Sequence, residues 1–66
     1  MLNGVTMLNQ LNALIGKGLS AYHISQVLRL RGRRVFCFGS YYTVKCGGHI
    51  YSFAETDRGV VARLVG

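Results

Sequence analysis

Gly47-Gly48 divides two runs with alternating apolar residues, 41–46 and 49–54, and this pattern constrains the chain's second half more than any other feature. A glycine pair supplies the two positive φ angles of a primed two-residue turn, the connection whose twist matches that of antiparallel strands. Folding back about the pair sets Cys46 against His49, Val44 against Tyr51 and Tyr42 against Phe53. Side chains alternate across a strand, so these six residues share one mainly apolar face. Tyr41, Thr43 and Lys45 face the other way with Ile50, Ser52 and Ala54. A hairpin with one apolar face needs a second layer to cover it.

The first half of the chain supplies that layer. Met7, Leu8, Leu11, Leu14 and Ile15 recur at helical spacing, while Asn9, Gln10 and Asn12 fall on the opposite side, so a helix is expected over residues 6–16. Thr6 or Asn3 is placed to cap its start, and Gly16 and Gly18 end it. A second helix is expected over residues 21–30. Ser20 is its N-cap, Leu19 staples onto Ile24, and Ile24, Val27 and Leu28 form the buried stripe beside Ala21. Arg29 and Arg31 suit the negative end of that helix, and Gly32 stops it.

Beyond Gly32 the residue types change. Val35, Phe36, Cys37 and Phe38 suit a strand. Residues 33–42 therefore add a further strand or a short helix. Thr56-Asp57-Arg58-Gly59 reads as a turn, and residues 60–65 form a third strand of the meander or a terminal strand for pairing with another copy. The expected fold class is α+β: two N-terminal helices packed on a small antiparallel β-meander of about three strands.

Sixty-six residues make one domain, here the whole span 1–66. A chain of this size is marginal as a monomer, and half of its residues are apolar, so burial in a homodimer is expected as well. No apolar run approaches the roughly 20 residues that cross a bilayer, and no basic stretch precedes an apolar core at the N-terminus. The expectation is a cytoplasmic protein with Cys37 and Cys46 as thiols.

Charge carries the functional signal. Eight Lys and Arg face two acids, Glu55 and Asp57, for a formal net charge of +6. Such a field attracts phosphate backbones, anionic membranes or acidic proteins. Arg29, Arg31, Arg33 and Arg34 fall within six residues, with no acid within twenty positions on either side. The planar guanidinium fork makes paired hydrogen bonds to phosphate, and ordinary solvated faces mix signs, so this cluster is read as a phosphate footprint. Lys45 and Tyr41 complete the candidate nucleic-acid-binding set. Tyr41 and Tyr42 are adjacent and point to opposite faces of their strand: one enters the core, and the other is free to stack on a base of a single strand, cover an apolar edge or join a dimer interface.

Leu19-Ser20, Ile24-Ser25, Leu28, Leu30 and Val35 follow one another at spacings that resemble a helix-turn-helix of the repressor and recombinase type. The resemblance covers residues 19–35. It implies a recognition helix after Gly32 lying in the major groove, with Arg31, Arg33, Arg34 and Ser40 facing DNA.

Other chemistry has less support. Cys46 and His49 stand three apart around the glycine turn, which is metal-knuckle spacing, but a structural zinc needs four ligands, and Cys37 and His23 lie on other elements. No metal and no cofactor are expected. Two acids near one turn give no carboxylate pair for acid–base work, so a non-enzyme is expected. The leading expectation is a DNA-binding regulatory or accessory factor acting as a dimer, with DNA favoured over RNA. One alternative is an inhibitor or adaptor from a mobile genetic element that docks on an acidic host-protein surface. Another is a small toxin-type ribonuclease using His49 or His23.

Overall fold

The computed structural model describes residues 3–66, with side chains from Met7 onward. Two helices, α1 (Asn3–Gly16) and α2 (Ala21–Leu30), precede four strands: β1 (Val35–Phe38), β2 (Tyr41–Cys46), β3 (His49–Thr56) and β4 (Gly59–Leu64). The strands form one antiparallel sheet in the order β1-β2-β3-β4, so every connection is a hairpin. The fold is the expected α+β arrangement with four strands in place of about three. The added strand is β1, where residues with strong strand propensity meet a waiting edge of β2. Residues 60–65 enter the same meander through β4, which pairs with β3 from Thr56↔Gly59 to Tyr51↔Leu64.

The central hairpin has the register expected from the glycine pair, with Cys46↔His49, Val44↔Tyr51 and Tyr42↔Phe53. Gly47 and Gly48 both have positive φ, +60° and +78°, as a type I′ turn requires. The odd-numbered residues of β3 and the even-numbered residues of β2 face the helices. Val44, Tyr51 and Phe53 are fully or almost fully buried there against Met7, Leu11, Leu14, Ile24 and Leu28. Tyr42 is the inward member of the tyrosine pair, and its ring stacks on Phe53 at 5.3 Å. The helices divide the sheet between them: α1 lies toward β4 and α2 toward β1.

α2 is closed at both ends. Ser20 Oγ accepts a hydrogen bond from the His23 N–H at 3.2 Å, as an N-cap does. The Ala21 N–H, another donor left over at a helix start, is satisfied by Glu55 Oε1 at 3.0 Å from β3. A carboxylate at that position also meets the positive end of the helix dipole. At the other end Arg33 N–H donates to Leu28 C=O and Gly32 N–H to Arg29 C=O, a Schellman closure with Gly32 at φ +85°. α1 includes Asn3, ahead of the expected start at Thr6, so Thr6 lies within the helix. Capping by the Asn3 side chain falls outside the described side chains.

Candidate nucleic-acid interface

The four basic residues around Gly32 do not form one open claw. Arg29 is exposed, and its Nη2 donates to the Val35 C=O at 3.1 Å, tying the end of α2 to β1. Arg31 Nη1 donates to Gln10 Oε1 at 3.3 Å, tying α2 to α1. Arg33 is half-buried, and its Nη1 donates to Cys46 Sγ at 3.3 Å at the end of the core. Arg34 is exposed and forms no hydrogen bond through its side chain among the described residues. Arg29, Arg33 and Arg34 line one shallow depression at the α2–β1 junction. Three of the four thus serve the fold, while each guanidinium keeps further N–H groups for a ligand.

The segment after Gly32 is strand β1, in place of the recognition helix that the helix-turn-helix resemblance implies. Gly32 ends α2, and Val35↔Val44 begins the β1–β2 ladder. Leu30, which matches the apolar anchor of the turn in that resemblance, is 88% exposed. Val35 is buried, but as a strand residue under α2. Ser40 sits in the β1–β2 turn.

Because both helices lie on one side, the other face of the sheet is open. The registers lay that face out in rows. Phe38, Tyr41, Ala54 and Val61 make one row across the four strands. Phe36, Thr43, Ser52 and Arg63 make the next. Lys45 and Ile50 make a third, continued by Val65, whose N–H bonds to the Ile50 C=O. Three aromatic rings therefore stand together on β1 and β2. Phe36 and Phe38 are 6.5 Å apart between ring centroids, and Phe38 and Tyr41 are 6.0 Å apart. All three are between 44% and 51% exposed, an unusual amount for neighbouring aromatic rings on a domain this small. The middle of the face is made of Thr43, Ser52 and Ala54. These short side chains form the floor of a groove with Tyr41 on one wall and Val61 and Arg63 on the other.

The charge on this face has one sign. Lys45 and Arg63 are exposed on it. Glu55 lies on the helix side and holds Ala21, and Asp57 sits in the β3–β4 turn. Of the residues read from the sequence as a site, Lys45 and Tyr41 lie on the open face, Arg29, Arg33 and Arg34 gather at the α2–β1 junction, and Arg31 turns to Gln10 of α1. Phe36, Phe38 and Arg63 were not singled out by the sequence reading. The signal for the two phenylalanines was the strand-forming run Val35-Phe36-Cys37-Phe38 followed by Gly39-Ser40, a dipeptide that fits a second primed turn.

The remaining polar candidates are dispersed. Cys46 is buried beside Arg33, and Cys37 is exposed on β1. His49 Nδ1 lies 3.4 Å from Gly66 O, and His23 Nδ1 lies 2.9 Å from Ser20 Oγ on α2. Among the described residues, no three His, Cys, Asp or Glu side chains converge as a metal site would require. No helix among them is long and apolar enough to cross a membrane. No protein-family model, curated protein or solved structure matches the chain.

Proposed function

We propose that this protein is a small nucleic-acid-binding factor of a regulatory or accessory kind. One observation carries the reading: Lys45 and Arg63 stand exposed on an open sheet face that carries no acid, in a chain of net charge +6. Positive charge without neighbouring carboxylates is what a polyphosphate backbone neutralises on binding. Arg34 and the remaining N–H groups of Arg29 and Arg31 extend the same field around the end of α2. Binding to DNA at low salt, followed by titration with salt, tests the reading. Log affinity should fall linearly with log salt, with a slope of about −0.7 to −0.9 per phosphate neutralised. Lack of binding to any nucleic acid at low salt contradicts it.

The functional unit in this reading is a homodimer. Val61, Leu64 and Val65 are each about half exposed on or just after β4, an edge strand whose outer backbone groups have no neighbouring strand among the described residues. Antiparallel pairing of β4 with its own copy would join two sheets and cover those side chains. Light scattering after gel filtration gives the mass in solution. Val61→Lys should convert a dimer to a monomer, and a monomeric starting protein removes this part of the reading.

A further inference from the structure

We infer that the open sheet face is a stacking platform for a single nucleic-acid strand, with Phe36, Phe38 and Tyr41 taking successive bases and Lys45 and Arg63 taking phosphates. The inference rests on the nucleic-acid reading above and specifies its ligand.

Phe36 and Phe38 carry no hydrogen-bonding group, so they cannot read base edges in a duplex groove. They offer π-faces and apolar area, and every unpaired base has a matching face. An undistorted duplex keeps its bases stacked inside, and a ring reaches them only where a step is unstacked at a cost in stacking energy. The chain also has no helix after Gly32 to enter a major groove, because those residues are β1. Three half-exposed rings spaced 6.0 and 6.5 Å apart along two paired strands thus suit a strand whose bases are already splayed.

The basic groups sit at a matching distance. Neighbouring strands are about 4.8 Å apart, so Arg63 on β4 is roughly 10 Å across the sheet from Thr43, the β2 residue in its row. A base lying on β1 and β2 would send its sugar and phosphate over the groove floored by Thr43, Ser52 and Ala54, toward Arg63. Lys45 follows Tyr41 and Thr43 on the same side of β2 and reaches a phosphate farther along the strand. The charge also decides among occupants. A second copy placed face to face would bring Lys45 and Arg63 against like charges, which opposes that association. A polyanion is drawn to the same groups.

The test uses the intact protein and a labelled twelve-residue oligothymidylate, with a duplex of equal length as comparison. Binding is read by fluorescence anisotropy at low salt, and thermal melting of each variant checks the fold. The single strand should bind at least tenfold more tightly than the duplex. Phe38→Leu and Tyr41→Leu should each weaken binding by about tenfold, the size of one lost base–ring stack. Phe38→Tyr keeps a ring and should retain affinity. Because these side chains are exposed, melting should hardly move, and the two leucine variants serve as checks on each other. If the duplex binds as tightly as the single strand, or if both leucine variants bind normally, the platform is overturned while nucleic-acid binding stands. If the rings prove instead to hold two copies together, so that the leucine variants become monomers and the dimer excludes the strand, the platform is also overturned. If neither oligonucleotide binds, the nucleic-acid reading falls and the platform goes with it.

Discussion

The rings of Phe38 and Tyr41 stand 6.0 Å apart where β1 turns into β2, on the side of the sheet away from both helices. Their pairing is set by the two residues between them. Gly39 has φ +58° and Ser40 a negative φ, the arrangement of a type II′ turn, which takes glycine at its first central position. A local backbone requirement therefore fixes which aromatic side chains are neighbours on the open face.

Gly39→Ala should cost stability although its Cβ would meet no atom within 4 Å. An L-residue in a left-handed conformation costs about 1–2 kcal/mol. For a domain of this size that lowers Tm by several degrees. The same change at Gly16, which ends α1 with no positive φ and equally open space, should raise Tm, because alanine restricts the unfolded chain and suits a helix. Melting curves of the two variants should move in opposite directions.

Two phenylalanines only fifteen positions apart should respond oppositely to the same substitution. Phe53 is fully buried and stacks on Tyr42. Phe53→Ala should cost about 3–5 kcal/mol, a large share of the stability available to a domain this small. Phe38 is 51% exposed, and Phe38→Ala should leave the melting curve nearly in place while weakening oligothymidylate binding. Circular dichroism melts and anisotropy titrations of both variants check the contrast.

Adjacent arginines should separate in the same manner. Arg33 is half-buried and bonded to Cys46 Sγ, so Arg33→Ala should lower Tm. Arg34 is exposed with no hydrogen-bonded partner for its side chain among the described residues, so Arg34→Ala should keep Tm. If Arg34 meets one phosphate, its loss should make the slope of log affinity against log salt shallower by about 0.7–0.9.

Glu55 supplies a long-range brace. Its carboxylate accepts from the Ala21 N–H thirty-four positions earlier in the chain. Glu55→Ala leaves that donor without its partner and should cost about 1 kcal/mol. Glu55→Gln keeps an acceptor oxygen and loses the charge at the helix start, so it should cost less. Urea unfolding of both variants gives the comparison.

Much of the fold was legible in the sequence because its signals are local. Gly47-Gly48 with its alternating flanks specified the central hairpin to the residue, and Ser20 with the Ile24 and Leu28 spacing specified α2. The segment around Phe36 was less clear. Four strand-forming residues are too few to decide between strand and helix by periodicity. Their pairing with β2, a tertiary contact, settles it. The site was read in part. Clustering in sequence drew attention to Arg29, Arg31, Arg33 and Arg34, but the hydrogen bonds of the first three to Val35, Gln10 and Cys46 are visible only once the chain is folded. Conversely, Phe36, Tyr41 and Arg63 are scattered along the chain and meet only through three strand registers. Which sheet face the helices would leave open followed from the apolar alternation. That the open face would gather three rings did not, because it depends on β1.

Residue-by-residue NMR chemical shifts during titration with oligothymidylate show which surface the strand touches. The largest shifts should fall at Phe36, Phe38, Tyr41, Thr43, Lys45 and Arg63, with the exposed sides of α1 and α2 nearly unmoved. Shifts concentrated on the outer surface of the helices, with the rings of Phe36, Phe38 and Tyr41 unchanged, would contradict the stacking platform.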